Sequence, residues 1–446
     1  MTDPKRVADK LVGLVKQAEP AAQSFARVAI GGKAFLRFAV NEITTAGDTD
    51  EVDVSLTVGL GQRHATARTT RLDDAALAEL ATRALAMAKL SPEDPEHMPV
   101  LGAQTYREPG PDFDVATGKA PPEMRADAAK TAIAIAKEKG VVIAGFISTW
   151  SRELGLSSSA GLSATHRASR ADLSATARTT DGTGSGWASL GSQKASDIDA
   201  RALATRAVDK AIASQKPREL EPGRYTVVLE PACVATLVAY LESALDARAA
   251  EEGRSFFSKP GGGTRFGEQI IAKGLSLKSD PFDAATPGAP FDAEGFALAP
   301  TTWFDAGKLV AMPRTRYWAK KAGGQPTGEH QSFALAGAGG AADLSKLVAS
   351  VDRGLLVTRL WYVRWLEAKT MTITGLTRDG VFLIDKGKIT APVANFRFND
   401  SPARVFSSAT AWTADAAWIP WGQSTVIRAP AIVAHDFHMA SKSAAI

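Results

Sequence analysis

Apolar residues recur every three or four positions from Pro4 to about Glu19, with Val7, Leu11, Leu14 and Val15 on one stripe, and this spacing predicts an amphipathic helix. Segments of alternating polarity follow (FARVAI, KAFLRFAV, EVDVSLTVGL). They predict strands, with turns at Gly31-Gly32 and around Gly47-Asp48. RLDDAALAELATRALAMAKL returns to the helical period, with Asp73 or Asp74 placed to cap its start. The Pro-rich stretch SPEDPEHMPVLGAQTYREPGPDFD has no period and reads as a linker. The layout then repeats: a helix from Pro121 to Lys139, alternation over 142–190, and a helix over Asp197 to Ser214.

Past Glu221 the pattern changes. Seven of the nine tryptophans lie after residue 300, Gly-rich turns multiply, and helical periods thin out after about Asp246. RLWYVRWLEAKTMTITGLTRDGVFLIDKGKIT alternates, with turn signals at Arg378-Asp379-Gly380 and Asp385-Lys386-Gly387. The expected fold class is α+β. Two helix–antiparallel sheet–helix units (1–90 and 121–216, joined by a linker over 91–120) precede a largely antiparallel β domain over 217–446 with one helix near its start. That helix holds LVAYLESALD, in which Glu242 and Asp246, four apart, fall on one face.

Composition narrows the function classes. Apolar residues make up 45% and charged residues 22%, the balance of a globular chain. A net charge of +4 without a basic block does not favour nucleic acid as a partner. The single cysteine, Cys233, excludes an intrachain disulfide and a cysteine-rich zinc module. The start MTDPKRVADK lacks an apolar signal region, and no run of about 18 apolar residues occurs, so a cytoplasmic protein away from membranes is expected.

At RGLLVTRLWYVRW, TGLTRDGVFLIDKGKI and NFRFNDSP the chain resembles the TldD/PmbA (TldE) family, once called modulators of DNA gyrase; RFAVNEI and RTTRLDDAALAELATRAL fit its N-terminal domain. The resemblance implies a cytosolic peptidase system. A TldD-type subunit carries zinc on an HExxxH helix, and a TldE-type subunit of similar fold lacks those ligands and pairs with it. Together they trim unfolded peptides, held in extended form in a cleft.

Set against that motif, the HExxxH positions fall on Leu241, Glu242 and Asp246, and no histidine lies between His166 and His330. A catalytic zinc needs about three protein ligands with one position open. The resemblance therefore implies a metal-free, TldE/PmbA-like subunit with no catalytic residues of its own, zinc belonging only to a TldD-like partner. The alternative is a stand-alone peptide-binding or regulatory homodimer. Residues five apart point roughly 140° away from each other on an ideal helix, so HExxxH needs a widened, π-like turn. Without a metal, a regular helix with Leu241 in the apolar stripe is expected. Glu242 and Asp246 alone cannot supply the six or so oxygens of a hard cation, so they are expected to be solvated or paired with Arg248 or Arg254.

Thr327, Gly328 and His330, in a loop where the family has Thr-Gly near its cleft, are the substrate-binding candidates. Cys233 is expected to be buried and inert. His435 and His438 in HDFH would face opposite sides of a strand, or lie in an exposed tail after the last strands. Arg359, Arg364, Arg378 and Asp379 could bind a substrate terminus, but most are expected to be paired within the sheet or at a subunit contact, and Trp361 and Trp365 to lie in a core or an interface.

Overall fold

The computed structural model describes residues 2–421 and 425–443. α1 (Pro4–Ala18) starts on Asp3, whose carboxylate accepts from the Lys5 amide, and buries Val7, Leu11 and Val15. β1 (Gln23–Ala39), β2 (Glu42–Leu60) and β3 (Arg63–Thr69) follow, then α2 (Asp74–Leu90), capped by Asp73. α3 (Val115–Gly118) and α4 (Pro122–Glu138) lead into β4 (Val141–Ser158), β5 (Ser163–Thr179) and β6 (Ser185–Ser192), and α5 (Ala200–Ala213) closes this half.

The two units do not keep separate sheets. β1 pairs antiparallel with β4, so all six strands form one sheet in the order β3-β2-β1-β4-β5-β6. The expected turns at Gly31-Gly32 and Gly47-Asp48 are absent, because β1 and β2 run straight through them. Gly31 serves a different purpose: a Cβ there would collide with the Ser151 carbonyl across the β1–β4 joint. The reversal is made by Val40 and Asn41, both at positive φ, in a two-residue loop. Alternate residues of the sheet (Val28, Leu36, Val54, Ile143, Ile147, Leu173) pack under α1, α2, α4 and α5, all on one face. The linker is tied down rather than free. Asp112 is 3% exposed and bonds His166 and Arg170, both on β5.

The remainder is β-rich. β7 (Gly223–Leu229), α6 (Pro231–Ser243) and α7 (Ala247–Glu251) open it. β8 (Leu275–Ser279), β9 (Thr301–Asp305), β10 (Lys308–Leu309), α8 (Arg316–Ala322), β11 (Ser332–Gly337) and α9 (Leu344–Ala349) come next. β12 (Arg353–Glu367), β13 (Thr372–Asp385), β14 (Lys388–Val393), β15 (Phe396–Asp400), α10 (Pro402–Ser407) and β16–β19 (Ala409–Trp412, Ala417–Trp421, Thr425–Ala429, Ile432–Lys442) complete it. One six-stranded sheet runs β10-β9-β8-β11-β18-β17, and a seven-stranded one runs β12-β7-β19-β15-β13-β14, with β16 on β19; β12–β13 pairing closes the second path. Pairing is mostly antiparallel; β7–β12 and β11–β18 are parallel.

Three sequence readings are corrected here. Arg378-Asp379-Gly380 is a bulge within β13 and no chain reversal, whereas Lys386-Gly387 does turn, both at positive φ. His435 and His438 are no exposed tail, since β19 lies between β7 and β15; a bulge at Asp436 sets them apart, His435 on Thr226 and Thr410, His438 on the Asn399 carbonyl. Trp361 and Trp365, expected in a core or an interface, lie outside the core at about 40% exposed, because β12 runs past the packed layer after Leu360. No helix among the described residues is long and apolar enough to cross a membrane.

Candidate functional site

The face of the N-terminal sheet opposite its helices stays partly open, and the start of the C-terminal half stands over it. Between them lies a cavity of about 550 Å³. Strand alternation builds its floor: Phe146, Ser148, Trp150 and Arg152 are successive same-face residues of β4, with Asp172 and Ser174 beside them on β5 and Trp187 on β6. Ser148 sits directly opposite Asp172 and donates a long 3.4 Å bond to its carboxylate. Burial pushes the Asp172 carboxyl up to about 6, opposed by Ser148, Arg170 and Lys33. Arg152 is engaged by Glu51 at 3.5 Å.

The opposite wall belongs to α6 and β12. Pro231 occupies the first turn of α6, where its missing N–H removes no helical bond. Ala232, Thr236 and Tyr240, four apart, then face the cavity. The Tyr240 hydroxyl donates to the Val363 carbonyl at 2.7 Å, and its ring meets Trp365 edge-on. From β12, the Arg359 guanidinium packs on the indoles of Trp187 and Trp361, 4.4 and 4.3 Å from their ring centres. It pairs at 3.1 Å with the buried Asp379, which also accepts from Ser185 on β6. Lys210 on α5 and Thr358 on β12 both bind Glu230, the residue before α6. These ties fix the two walls to each other.

The residues singled out in the sequence lie elsewhere. Leu241 is fully buried in the main core on an α-helix without a widened turn. The helix ends at Ser243, so Glu242 and Asp246 do not share a helical face; Asp246 caps α7 through the Arg248 and Ala249 amides. Arg248 and Arg254 bind Glu252, and Arg248 also takes Glu96, so neither makes a side-chain pair with Glu242 or Asp246. Glu242 is pushed up to about 7, first by burial and then by the charge of Glu329. The loop with Thr327, Gly328 and His330 thus approaches the end of α6 without lining the cavity. The Thr327 hydroxyl accepts from the Arg314 amide, and Gly328 holds φ +70 against Leu298 and Phe296. His330 is 7% exposed, edge-on to Trp303 and 3.3 Å from the Thr301 hydroxyl; burial lowers its pKa to about 4 and keeps the ring neutral. Cys233 is fully buried, its thiol on the Val357 carbonyl and pushed well up by burial.

Lys33, Trp150, Asp172, Trp187 and Tyr240 were not picked out from the sequence. The available signal was the alternation of aromatic and polar residues in FISTWSR, but nothing local told which face would stay uncovered. As for metal, α6 presents alanine, threonine and tyrosine to the cavity. Among the described residues no three His, Cys, Asp or Glu side chains come together as a ligand set. These residues do not fit a catalytic zinc.

The model for the PmbA/TldA metallopeptidase C-terminal domain matches residues 222–441, and that for the central domain residues 117–215. Among solved structures, TldE from Thermococcus kodakarensis is similar with a TM-score of 0.87 at 18% identity, over 97% of this chain and 99% of that one. A protein described as a modulator of DNA gyrase from Thermotoga maritima gives 0.83 at 18%, with 97% and 99% covered. Another so described, from Bacteroides thetaiotaomicron, gives 0.81 at 21%, with 97% and 98% covered. No curated protein matches the chain's sequence significantly.

Proposed function

The chain belongs to the PmbA/TldD metallopeptidase family, and from that premise we propose that it is a metal-free, TldE-type subunit of a two-component peptidase. It pairs in the cytoplasm with a zinc-bearing, HExxxH-containing subunit that cleaves unfolded peptides, and its own cleft holds peptide without cutting it. The observation that carries this reading is the wall offered by α6: Ala232, Thr236 and Tyr240 face the cavity where metal chemistry would need imidazoles and a carboxylate. The aromatic and hydroxyl lining of that cavity suits a polypeptide in extended form.

The test is metal analysis and peptidase assay of the purified chain, alone and mixed with an HExxxH-bearing paralogue from the same cell. The expected result is no stoichiometric zinc, no cleavage alone, and co-purification with the paralogue. Stoichiometric zinc together with peptidase activity of this chain by itself would overturn the proposal.

A further inference from the structure

We infer that Arg359 anchors the C-terminal carboxylate of a peptide lying in the cavity, with Asp379 as the positioning residue behind it. This rests on reading the cavity as a peptide cleft, and it names the end of the peptide the cleft recognises.

The construction of the Arg359 site goes beyond what an ordinary ion pair needs. β13 bulges opposite Arg359, and two residues there sit at positive φ: Asp379 at 58° and Gly380 at 122°. A non-glycine residue in that region inside a strand is held there by its surroundings. The bulge turns the Asp379 carboxylate inward, where it is 1% exposed, accepts from the Ser185 hydroxyl at 2.7 Å, and takes Nη1 of Arg359 at 3.1 Å. The guanidinium carbon also lies 4.4 and 4.3 Å from the ring centres of Trp187 and Trp361. A planar cation held against two indoles and bonded at one nitrogen is restricted in how its remaining edge can point. Nε and Nη2 donate no hydrogen bond within the described residues, and the group remains partly exposed to the cavity it lines. A fixed pair of adjacent N–H donors matches the two oxygens of a carboxylate.

A guanidinium serving only to join the two halves would direct its remaining donors at protein acceptors. Here the joining is already done by Ser185–Asp379 and Lys210–Glu230. The other charges of the cavity agree with an anionic end group. Glu51 is occupied by Arg152, and Lys33 makes no ion pair among the described residues. Asp172 is flanked electrostatically by Arg170 and Lys33. Trp150 and Tyr240 supply apolar walls for the residues preceding the terminus.

The experiment titrates the full chain at pH 7 with a short, N-acetylated unfolded peptide bearing a free C-terminus, and with the same peptide amidated, following tryptophan fluorescence. Amidation is expected to weaken binding about tenfold or more, the worth of a charge-assisted pair of hydrogen bonds. The ratio of the two affinities should fall towards one in Arg359→Lys, which keeps the charge but loses the fork, and should be reduced in Asp379→Asn. A general loss of stability would lower both affinities and leave the ratio unchanged. Equal binding of both peptides by the unaltered protein overturns the inference and leaves the peptide-cleft reading standing. Binding of neither peptide removes that reading, and the inference with it. Should the variants fail to fold, the peptide pair on the unaltered protein decides alone.

Discussion

The N-terminal sheet and the closed seven-stranded sheet of the C-terminal half solve the same burial problem differently. In the second, neighbouring residues pack into opposite cores. Val227, Leu229, Leu355, Val357, Val381 and Leu383 join the main cluster with α6, whereas Val228, Leu356, Phe382, Ile384 and Val433 join another with Leu347 and Val348. In the first, only one face is covered by helices, and the middle of the other carries Ser148, Trp150, Asp172 and Ser174. The doubly covered sheet is scaffold; the singly covered one leaves a surface free to be a floor. The cavity forms where α6 and the outer part of β12 stand over that floor.

The largest test of this contrast is a pair of truncations. Leu355→Ala and Leu356→Ala remove neighbouring side chains that are 0% and 4% exposed on opposite faces. Each should cost about 2–5 kcal/mol in urea unfolding. If one of them is neutral, the sheet is not packed on both sides. Next in size, Gly31→Val places a branched side chain against the Ser151 backbone at the strand joint that fuses the two N-terminal units. It should destabilise by about 1–3 kcal/mol, lost from the N-terminal half, and a neutral result would mean the joint is looser than described.

Asp172 gives a smaller, pH-dependent effect. Its carboxyl titrates at about 6 in the folded chain against an ordinary 3.8, so between those values the folded chain holds a proton that the unfolded chain has released. Stability from this group therefore falls as pH rises from about 4 to about 6. Asp172→Asn should abolish that slope and gain about 1–2 kcal/mol above pH 7. A variant with the wild-type pH profile would show that the floor around Asp172 is wetter than its burial indicates. Smallest of all, Ser174→Ala on the open face should change stability by no more than about 0.5 kcal/mol, while its neighbour Leu173, 1% exposed, lies under the helices. A large loss at Ser174 would mean this face is packed after all.

Much of the secondary structure was legible in the sequence for simple reasons. The stripe of α1, the Asp73 cap of α2 and the helices α4 and α5 are local periodicities that came out within a few residues of their expected places, while the alternation marked strands but split β1 and β2 at glycines they run through. The Lys386-Gly387 reversal was readable because positive φ favours glycine. Glycines misled where their role was spatial. Gly31 makes room for a strand that follows more than a hundred residues later, and Gly380 allows a bulge that aims a carboxylate. The missing imidazoles near Glu242 could also be read directly, since they depend on residue identity alone.

What the sequence determined by itself, then, was the main N-terminal helices, the strand character of the segments between them, the family resemblance and the lack of HExxxH. Tertiary structure decided the rest. It fused two units through β1–β4, ended α6 at Ser243 so that Asp246 became a cap, and rotated Tyr240 rather than Glu242 towards the cavity. Period and residue type act within a few positions of the chain. Which face of a sheet stays uncovered, and which arginine is held over it, depends on strands brought together from residues 33 to 420, and no local pattern carries that information.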